Sequence, residues 1–345
     1  MIKMVFSFNS ELHEVTGVQK VVLSIHNALK GEYQAKVVGF KSYKAVNPSL
    51  GVKKDEYVKL RNPLMLRHSV VFVHERKFLA LFWLINHLLF LKITVVYVHH
   101  SMLYGHRILT ILPRHIVAIS DPGIHNLTED FHAPIRHIHK IYNCVEDRKE
   151  LRRTFQRHDG IVRILYPARI NSGKRQLTIV EKLRGKIDAR IQIDFAGIGP
   201  LYEELKNCLR RDDNQFHSIG FVDDIPARML EYDYVMLFSK HEGLPISLIE
   251  ATMTGTPIIC NDVGGNVEIG HVGENAFVAD DWDALIETLN SLPELPAKEY
   301  EKMCRASRAI YEKHFTYSIF KKNYLDLVKS ISLKFMNVHN LFKNT

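Results

Sequence analysis

The residue types and spacings best suited to chemistry lie between Tyr234 and Gly265. A strand-like run to Phe238 is followed by a short polar loop, and a helical pattern then begins at Pro245 and ends at Gly255. Proline suits the first helical position, and glycine is common just after the end of a helix. The free backbone N–H groups at the start of this helix, together with the helix dipole, predict a site for an anion such as phosphate.

Two carboxylates flank this predicted anion site. Glu242 lies in the loop, and Glu250 lies eight residues later in the helix. Glu250 follows Ile246 by four residues and Ser247 by three, so it shares their face near the helix start. Carboxylates on both sides of a phosphate could accept hydrogen bonds from the hydroxyls of a sugar nucleotide. The same spacing is also typical of solvent-exposed acids, so spacing alone leaves both interpretations open.

The elements that must position these residues alternate along the whole chain between short apolar runs and helical patterns. This alternation predicts an α/β fold of two Rossmann-like domains facing across a cleft. We expect the first domain in residues 1–150 and the second in residues 151–317, with the charged segment Asn143–Asp159 as the linker. A helix at about 318–345 would pack back on the first domain. Ligands of such sheets lie beyond the carboxyl ends of the strands.

The charge of this 345-residue chain is unevenly distributed. Residues 1–157 hold 23 Lys and Arg against 12 Asp and Glu, a balance of +11, whereas residues 158–345 hold 23 against 26, a balance of −3. The basic first half suggests nucleic acid, an anionic membrane surface or a phosphorylated ligand as a partner. It contains neither an RNP-like aromatic motif nor a helix-turn-helix pattern, so we expect no nucleic-acid partner.

The loop and helix around Glu242 and Glu250 resemble the E-x7-E region of the retaining glycosyltransferases of family 4, which have the GT-B architecture. The resemblance covers nearly the whole chain and is strong from Tyr166 to Gly270. Its motifs are Glu242-Gly-Leu-Pro-Ile-Ser-Leu-Ile-Glu250-Ala, Gly255-Thr-Pro-Ile-Ile, Asp262-Val-Gly-Gly-Asn, Phe195-Ala-Gly-Ile-Gly-Pro200, Gly220-Phe-Val-Asp-Asp224, and Ala168-Arg169-Ile-Asn-Ser-Gly-Lys174, which is similar to the family's GR-x4-K pattern.

The resemblance implies a role for each residue that matches a family motif. Arg169 and Lys174 would hold the donor diphosphate and stabilise the leaving nucleotide through charge-assisted hydrogen bonds. Glu250 would bind the ribose hydroxyls, and Glu242 would bind the sugar hydroxyls. The residues that would line the donor site around them are Gly243, Leu244, Pro245 and Ile246.

In the first half, the resemblance rests on a glycine loop and a histidine. Gly17, after the first strand, would allow close approach of the backbone to the diphosphate. This sequence has Thr16 where the family often has another glycine. His99 and His100 follow a strand and resemble the family's histidine near the donor sugar; we favour His99 over His100 for that role.

The function implied by the resemblance is a cytoplasmic, metal-independent, retaining glycosyltransferase. It would move a sugar from a nucleoside diphosphate sugar, with UDP or GDP as the nucleotide, to a glycan or lipid-linked glycan in bacterial surface polysaccharide or lipopolysaccharide synthesis. We expect no cofactor and no metal, so Arg169, Lys174 and the helix start must stabilise the charge on the leaving group. The alternative is a sugar-nucleotide epimerase of the same architecture.

The most apolar stretch is Phe78–Leu91, which is shorter than the roughly 20 residues that a membrane-spanning helix needs. We expect a buried core helix there, with contact to a membrane surface as the alternative. Together with the basic first half, the stretch suggests peripheral association with the inner face of the cytoplasmic membrane through residues 1–157.

Three further motifs have simpler structural interpretations. Asp281-Trp-Asp283 has a D-x-D form, but it begins a helical pattern and is expected to cap that helix. Gly197-Ile-Gly199 has no third glycine and no ribose-binding acid at the right distance, so we expect no NAD. The basic cluster Arg148–Arg157 is expected to form a solvated face.

Overall fold

The computed structural model describes residues 4–102, 105, 110–153, 160–209 and 214–341, and for residues 334–341 it describes the helix without its side chains. The chain forms two compact units. The first unit comprises Met1–Cys144 and Tyr317–Thr345, and the second comprises Val145–Thr316.

The first unit is built on a parallel sheet whose described strands have the order β3-β2-β1-β4-β5-β6-β7. The order reverses between β1 and β4, so their carboxyl ends flank a topological switch point. The strands are β1 Met4–Phe8, β2 Gln34–Gly39, β3 Tyr57–Lys59, β4 Val70–Val73, β5 Thr94–His99, β6 His115–Ala118 and β7 Ile138–Lys140. The helices are α1 Gly17–Leu29, α2 Leu79–Leu88, α3 Asp121–His125 and α10 Tyr317–Leu341.

The sheet of the first unit is buried on both faces. Every residue of β4 is buried, as the near-continuous apolar run of a central parallel strand predicts. Helix α10 returns to this unit and packs against α1. The ring of Tyr324 on α10 lies 5.7 Å from that of Phe72 on β4. The last helix is therefore part of the core of the first unit.

The second unit also has a parallel sheet, with its described strands in the order β10-β9-β8-β11-β12-β13. Here the order reverses between β8 and β11. The strands are β8 Val162–Pro167, β9 Ile191–Ala196, β10 Phe216–Gly220, β11 Tyr234–Leu237, β12 Ile258–Cys260 and β13 Ala276–Val278. The helices are α4 Gln176–Leu183, α5 Tyr202–Cys208, α6 Ile225–Met229, α7 Ile246–Thr254, α8 Trp282–Ser291 and α9 Ala297–His314.

The predicted α/β fold class, with two Rossmann-like sheets, is confirmed. The sequence did not predict β3 or β7, the two edge strands of the first sheet. Each has only three residues and includes a lysine, so neither has the continuous apolar run of a buried strand.

Two predictions about burial need correction. The basic cluster Arg148–Arg157 is solvated at Arg148 and Arg152, as predicted, but not at Arg153. Arg153 is buried, and its guanidinium donates to the hydroxyl of Tyr300 at 2.9 Å and the carbonyl of Met229 at 2.9 Å. The stretch Phe78–Leu91, expected to be a buried core helix, forms α2, of which only Leu79 and Phe82 are buried. Among the described residues, no helix is long and apolar enough to cross a membrane.

Candidate functional site

The candidate donor site comprises the loops that follow β8 and β11 and the start of α7. These two strands are hydrogen-bonded neighbours, with Tyr234 opposite Ile164, and the strand order reverses at this pair. Loops on the two sides of such a reversal diverge and leave a crevice beyond the carboxyl ends of the strands. The topology therefore brings Arg169 and Lys174, from one loop, to the same sheet edge as Glu242 from the other.

An ion pair joins the two loops. The Nζ of Lys174 donates to the Oε1 of Glu242. The side chain of Glu242 is 7% exposed and that of Lys174 is 24% exposed, so the pair is largely shielded from water. A charge pair in such surroundings is strongly held, because removing one partner leaves the other charge partly buried and uncompensated. The two residues, 68 positions apart in the sequence, are thus in contact.

Tyr166, near the end of β8, is hydrogen-bonded to both of these loops. Its hydroxyl donates to the carbonyl of Lys174 at 2.6 Å and accepts from the backbone N–H of Phe238 at 3.1 Å. The backbone N–H of Lys240 also donates to the carbonyl of Gly173 at 2.8 Å. The sequence gave no reason to single out Tyr166, because it reads as one more apolar residue of a buried strand.

Arg169 is exposed on the loop after β8. Gly197 and Gly199, in the loop after β9, pack against the backbone of that loop. A Cβ on Gly197 would lie 2.2 Å from the carbonyl oxygen of Ala168, and one on Gly199 would lie 2.2 Å from that of Ile170. Real Cβ atoms do not approach backbone so closely. Gly197-Ile-Gly199 is therefore required for close packing of the loop after β9 against the loop that carries Arg169.

A second pair of glycines supports the loop that carries Glu242. Gly264 has φ +58°, and a Cβ there would lie 2.3 Å from the carbonyl oxygen of Glu242. The N–H of Gly265 donates to the carbonyl of Gly243 at 2.7 Å. The Val-Gly-Gly segment after β12 therefore packs directly on the backbone of the site.

Helix α7 starts one residue later than expected. Pro245 is its N-cap, with extended backbone angles, and Ile246 is the first helical residue. The carbonyl of Pro245 accepts from the N–H of Leu248 at 3.2 Å, so proline begins the hydrogen-bond ladder without belonging to the helix. Gly255 ends the helix with φ +78°, as predicted.

Both predicted carboxylates are buried, so the interpretation as solvent-exposed acids is wrong. Glu250 is 7% exposed, in a helix whose residues from Leu248 to Thr254 are all buried. Leu244, between the two acids, is also buried. Buried carboxylates need polar partners, which makes both positions more informative than their spacing alone.

In the first unit, Gly17 is the exposed first residue of α1. Thr16 is the N-cap, and it forms a capping box with Gln19: its hydroxyl accepts from the N–H of Val18 at 3.3 Å, and its own N–H donates to the side chain of Gln19 at 3.2 Å. The threonine that replaces a family glycine thus stabilises the helix start.

His99 and His100 lie at the carboxyl end of β5 and have different neighbours. His99 is fully enclosed, and its Nδ1 lies 3.4 Å from the hydroxyl of Tyr97. Burial lowers the pKa of His99 to about 4, with a smaller contribution from the charge of Arg76. Burial likewise lowers the pKa of His100 to about 3, with a contribution from His99. Both rings are therefore neutral at pH 7.

His74, which follows β4, is the partner of His100. Its Nδ1 lies 2.8 Å from the Nε2 of His100, and the two rings stack with centroids 5.1 Å apart. Burial holds the pKa of His74 well below its usual value. The sequence did not distinguish His74, since the first 157 residues contain 13 of the 19 histidines.

The D-x-D motif caps a helix, as predicted. Asp281 is the N-cap of α8, and its Oδ1 accepts from the N–H of Ala284 at 2.8 Å. Across the described part of the chain, no group of three or more His, Cys, Asp or Glu side chains is placed to hold a metal ion.

Residues 162–294, all within the second unit, match the family model described as Glycosyl transferases group 1. The chain is 30% identical over 152 residues to the putative glycosyltransferase EpsD of Bacillus subtilis, and the aligned region covers 41% of this chain and 39% of that protein. It is also 30% identical over 101 residues to the UDP-Gal:alpha-D-GlcNAc-diphosphoundecaprenol alpha-1,3-galactosyltransferase of Escherichia coli. That aligned region covers 28% of this chain and 24% of that protein. The matches thus span less than half the length of either relative.

The fold is similar to the crystal structure of Anabaena Alr3699/HepE in complex with UDP. The TM-score is 0.79, with 16% sequence identity, over 95% of this chain and 100% of that chain. At this identity the likeness shows the fold, and it extends over both units.

Proposed function

We propose that this protein is a retaining, metal-independent glycosyltransferase that uses a nucleoside diphosphate sugar. The observation that carries the proposal is the shielded Lys174–Glu242 ion pair at the topological switch point of the second unit. The match of residues 162–294 to a glycosyl transferase family supports the same activity. The names of both curated relatives are those of glycosyltransferases, so we do not propose the epimerase alternative.

In the proposed reaction, the bond between the anomeric carbon and the diphosphate breaks as the acceptor hydroxyl attacks from the same face. Negative charge then builds on the leaving phosphate, which takes the proton of the acceptor. Arg169, Lys174 and the backbone N–H groups at the start of α7 are the positive groups that would stabilise this charge. Their positions are set by the fold before substrate binds, so little reorganisation is needed.

Glu242 has two functions in this proposal. It neutralises and orients Lys174 before the donor binds, and its second oxygen is available to a sugar hydroxyl. Glu250, farther along α7, would bind the ribose hydroxyls. Gly243, Leu244 and Ile246 lie between them and line the path of the diphosphate.

The donor is tested by thermal denaturation with UDP-, GDP- and ADP-sugars. A ligand present at 100 times its Kd stabilises the folded protein by about 2.7 kcal/mol, so a bound donor raises the Tm. UDP is our first choice, since the similar Anabaena structure contains it. No shift with any nucleotide sugar, and no transfer, would contradict the proposal.

The site is tested with the double variant Lys174→Ala with Glu242→Ala, which removes both charges together and so leaves neither one uncompensated in a shielded position. We expect transfer to fall by at least about 100-fold, since losing one stabilising group of this kind already costs that much, while circular dichroism stays unchanged. Lys206→Ala with Glu203→Ala, an exposed ion pair of the same unit, is the matched control. Near-normal turnover of the site variant would contradict the assignment.

The stereochemistry and the metal requirement need separate measurements. NMR of the product should show the same anomeric configuration as the donor, and transfer should persist in EDTA. Incubation without acceptor should give only slow hydrolysis, whereas an epimerase would convert the donor. Inversion at the anomeric carbon would refute the retaining mechanism and leave the transferase activity standing.

We also propose that the acceptor is a glycan, free or lipid-linked, of a bacterial surface polysaccharide. The E. coli relative is named for an acceptor linked to diphosphoundecaprenol. An acceptor of that kind lies in a membrane, and the protein would then work as a peripheral protein on the cytoplasmic face. Transfer to a lipid-linked diphosphate sugar, compared with the free sugar, tests this choice.

A further inference from the structure

Helix α2 has an apolar face that points away from the core. Leu79 and Phe82 are buried against the sheet. Leu81, Leu84 and Leu88 follow the spacing i, i+3 and i+7, so they lie together on another face, and all three are exposed. A surface helix normally has polar residues there, and a helix that is apolar all round is normally covered. We call these three leucines, with Phe90 beyond them, the α2 face.

The turn after α2 holds Phe90 out in solvent in a strained conformation. Phe90 has φ +47°, in the left-handed region where a helix usually ends on glycine, and it is 76% exposed. The N–H of Leu91 donates back to the carbonyl of Asn86 at 3.2 Å. A bulky apolar residue in this position destabilises the fold and gains nothing from burial, which marks it for a function outside the folding of the chain.

Asn86 locks this turn to the sheet. Its side chain accepts from the N–H of Ile93 at 3.0 Å and donates to the carbonyl of Ile93 at 3.2 Å. The polar interruption of the apolar stretch thus has a structural reason. Asn86 thus fixes both ends of the turn that contains Phe90.

The chain segment that contains α2 is rich in positive charge. Residues 59–100 contain six Lys and Arg and one acid, Glu75. Arg67 and Lys92 are both exposed. The N–H of His68 donates to the carbonyl of Leu91 at 2.9 Å, so the two cations lie on neighbouring backbone segments at the turn. Glu75 lies at the other end of the helix and is paired with Lys77 at 3.1 Å. An apolar surface bordered by cations is complementary to a bilayer with anionic headgroups.

We propose that the α2 face is a membrane-docking surface that inserts Leu88 and Phe90 into the outer part of an anionic bilayer. Arg67 and Lys92 would lie at the level of the phosphate groups. This inference rests on the proposed lipid-linked acceptor, and it names the helix that would bring the protein to the membrane containing that acceptor. Docking is measured without nucleotide sugar or acceptor, so its failure and the failure of the proposed transferase activity are distinguishable.

The test is co-sedimentation of the full chain with vesicles of phosphatidylcholine alone or with an equal part of phosphatidylglycerol. We expect binding to the anionic vesicles at low salt, weakened by high salt. Phe90→Gly should weaken binding about tenfold, because a buried aromatic side chain is lost. The same change should raise the Tm, because glycine relieves the strained φ. Phe221→Gly, which removes a phenylalanine that is 67% exposed in the second unit, should leave binding unchanged.

The electrostatic part is tested with Arg67→Gln and Lys92→Gln, each of which should weaken binding about fivefold. Lys298→Gln on α9 lowers the net charge by one, as each of these variants does, and should have no such effect. Binding that does not respond to Phe90→Gly or to the charge variants would overturn the proposal. So would a dimer in solution that dissociates in Leu84→Ser with Leu88→Ser while vesicle binding is unchanged, since the face would then be occupied by a second copy.

Discussion

At Gly264, the carbonyl of Glu242 occupies the space where a side chain would begin. In Gly264→Ala, the alanine would have to adopt the left-handed conformation, which costs about 1–2 kcal/mol of stability. Its Cβ would also clash with the backbone of Glu242. We expect a loss of more than about 3 kcal/mol in the free energy of unfolding, together with weaker donor binding. Urea denaturation and calorimetry measure the two effects.

Gly273→Ala is the matched control. Gly273 also has a positive φ, +76°, but a Cβ there would have open space around it. This variant should lose only about 1–2 kcal/mol and keep its donor affinity. Equal effects of the two substitutions would show that the contact with Glu242 has no importance for the site.

The buried His99 makes the stability of the first unit depend on pH. Its pKa is about 4 in the folded protein against 6.5 as the ordinary value. Below pH 6.5 the unfolded chain therefore binds a proton that the folded chain does not, and the free energy of unfolding falls as the pH decreases. Between pH 6.5 and 4 this residue should account for a loss of about 3 kcal/mol.

His99→Gln removes this contribution and should make the decline of stability between pH 7 and pH 4 shallower by about that amount, while the decline due to His74 and His100 remains. Urea unfolding at a series of pH values measures it. His125→Gln, at an exposed position of the same unit, should decline with pH as the unmodified protein does. Parallel curves for all three proteins would contradict the assignment of the pH dependence to His99.

Among the elements, α8 begins with the acidic motif Asp281-Trp-Asp283, a D-x-D pattern that could be taken for a metal site. The structure gives Asp281 a capping hydrogen bond to the N–H of Ala284. Asp281→Ala should cost about 1 kcal/mol, whereas Asp281→Asn should be nearly neutral, because asparagine caps a helix as well as aspartate does. Both should retain transfer activity. Loss of transfer in Asp281→Asn would indicate a role in catalysis instead.

The elements also explain how two distant motifs become one site. Parallel strands have their carboxyl ends at the same edge, so loops after neighbouring strands meet. Tyr166 then fixes the distance between the loops by hydrogen-bonding to both of them. Lys174, although it lies in a loop, is thus held by a residue of a buried strand.

For the molecule as a whole, the chain returns to its first unit through α10. Tyr324 on this helix is fully buried, so Tyr324→Ala should destabilise the first unit by about 3–5 kcal/mol. Its hydroxyl has no hydrogen-bond partner among the described residues, so Tyr324→Phe should be within about 1 kcal/mol of the unmodified protein. Urea denaturation compares the two variants.

Hydrogen exchange then shows where Tyr324→Ala acts. Exchange should become faster in β4 and α1, while β8 and β11 in the second unit keep their protection. Faster exchange in both units alike would show that they unfold together, contrary to their separate cores.

The sequence alone determined the fold class, the central strands and the loops that carry the candidate site. Apolar runs with β-branched residues, Gly255 after α7 and the spacing of the two glutamates are local signals that need no tertiary information. Burial was harder to predict. Arg153 looks like a solvated charge, and α2 looks like a core helix, because residue type gives the preference of a side chain and not the number of neighbours it finds.

Only the tertiary structure brought Lys174 into contact with Glu242, because they lie 68 positions apart and the pairing depends on which strands are adjacent. It also revealed the hydrogen bonds of Tyr166 and His74 and the exposed leucines of α2. Strand order and helix packing arise from contacts between distant segments, whose register no local pattern encodes. The candidate residues were thus identifiable from the chain, whereas their assembly into one place required the fold.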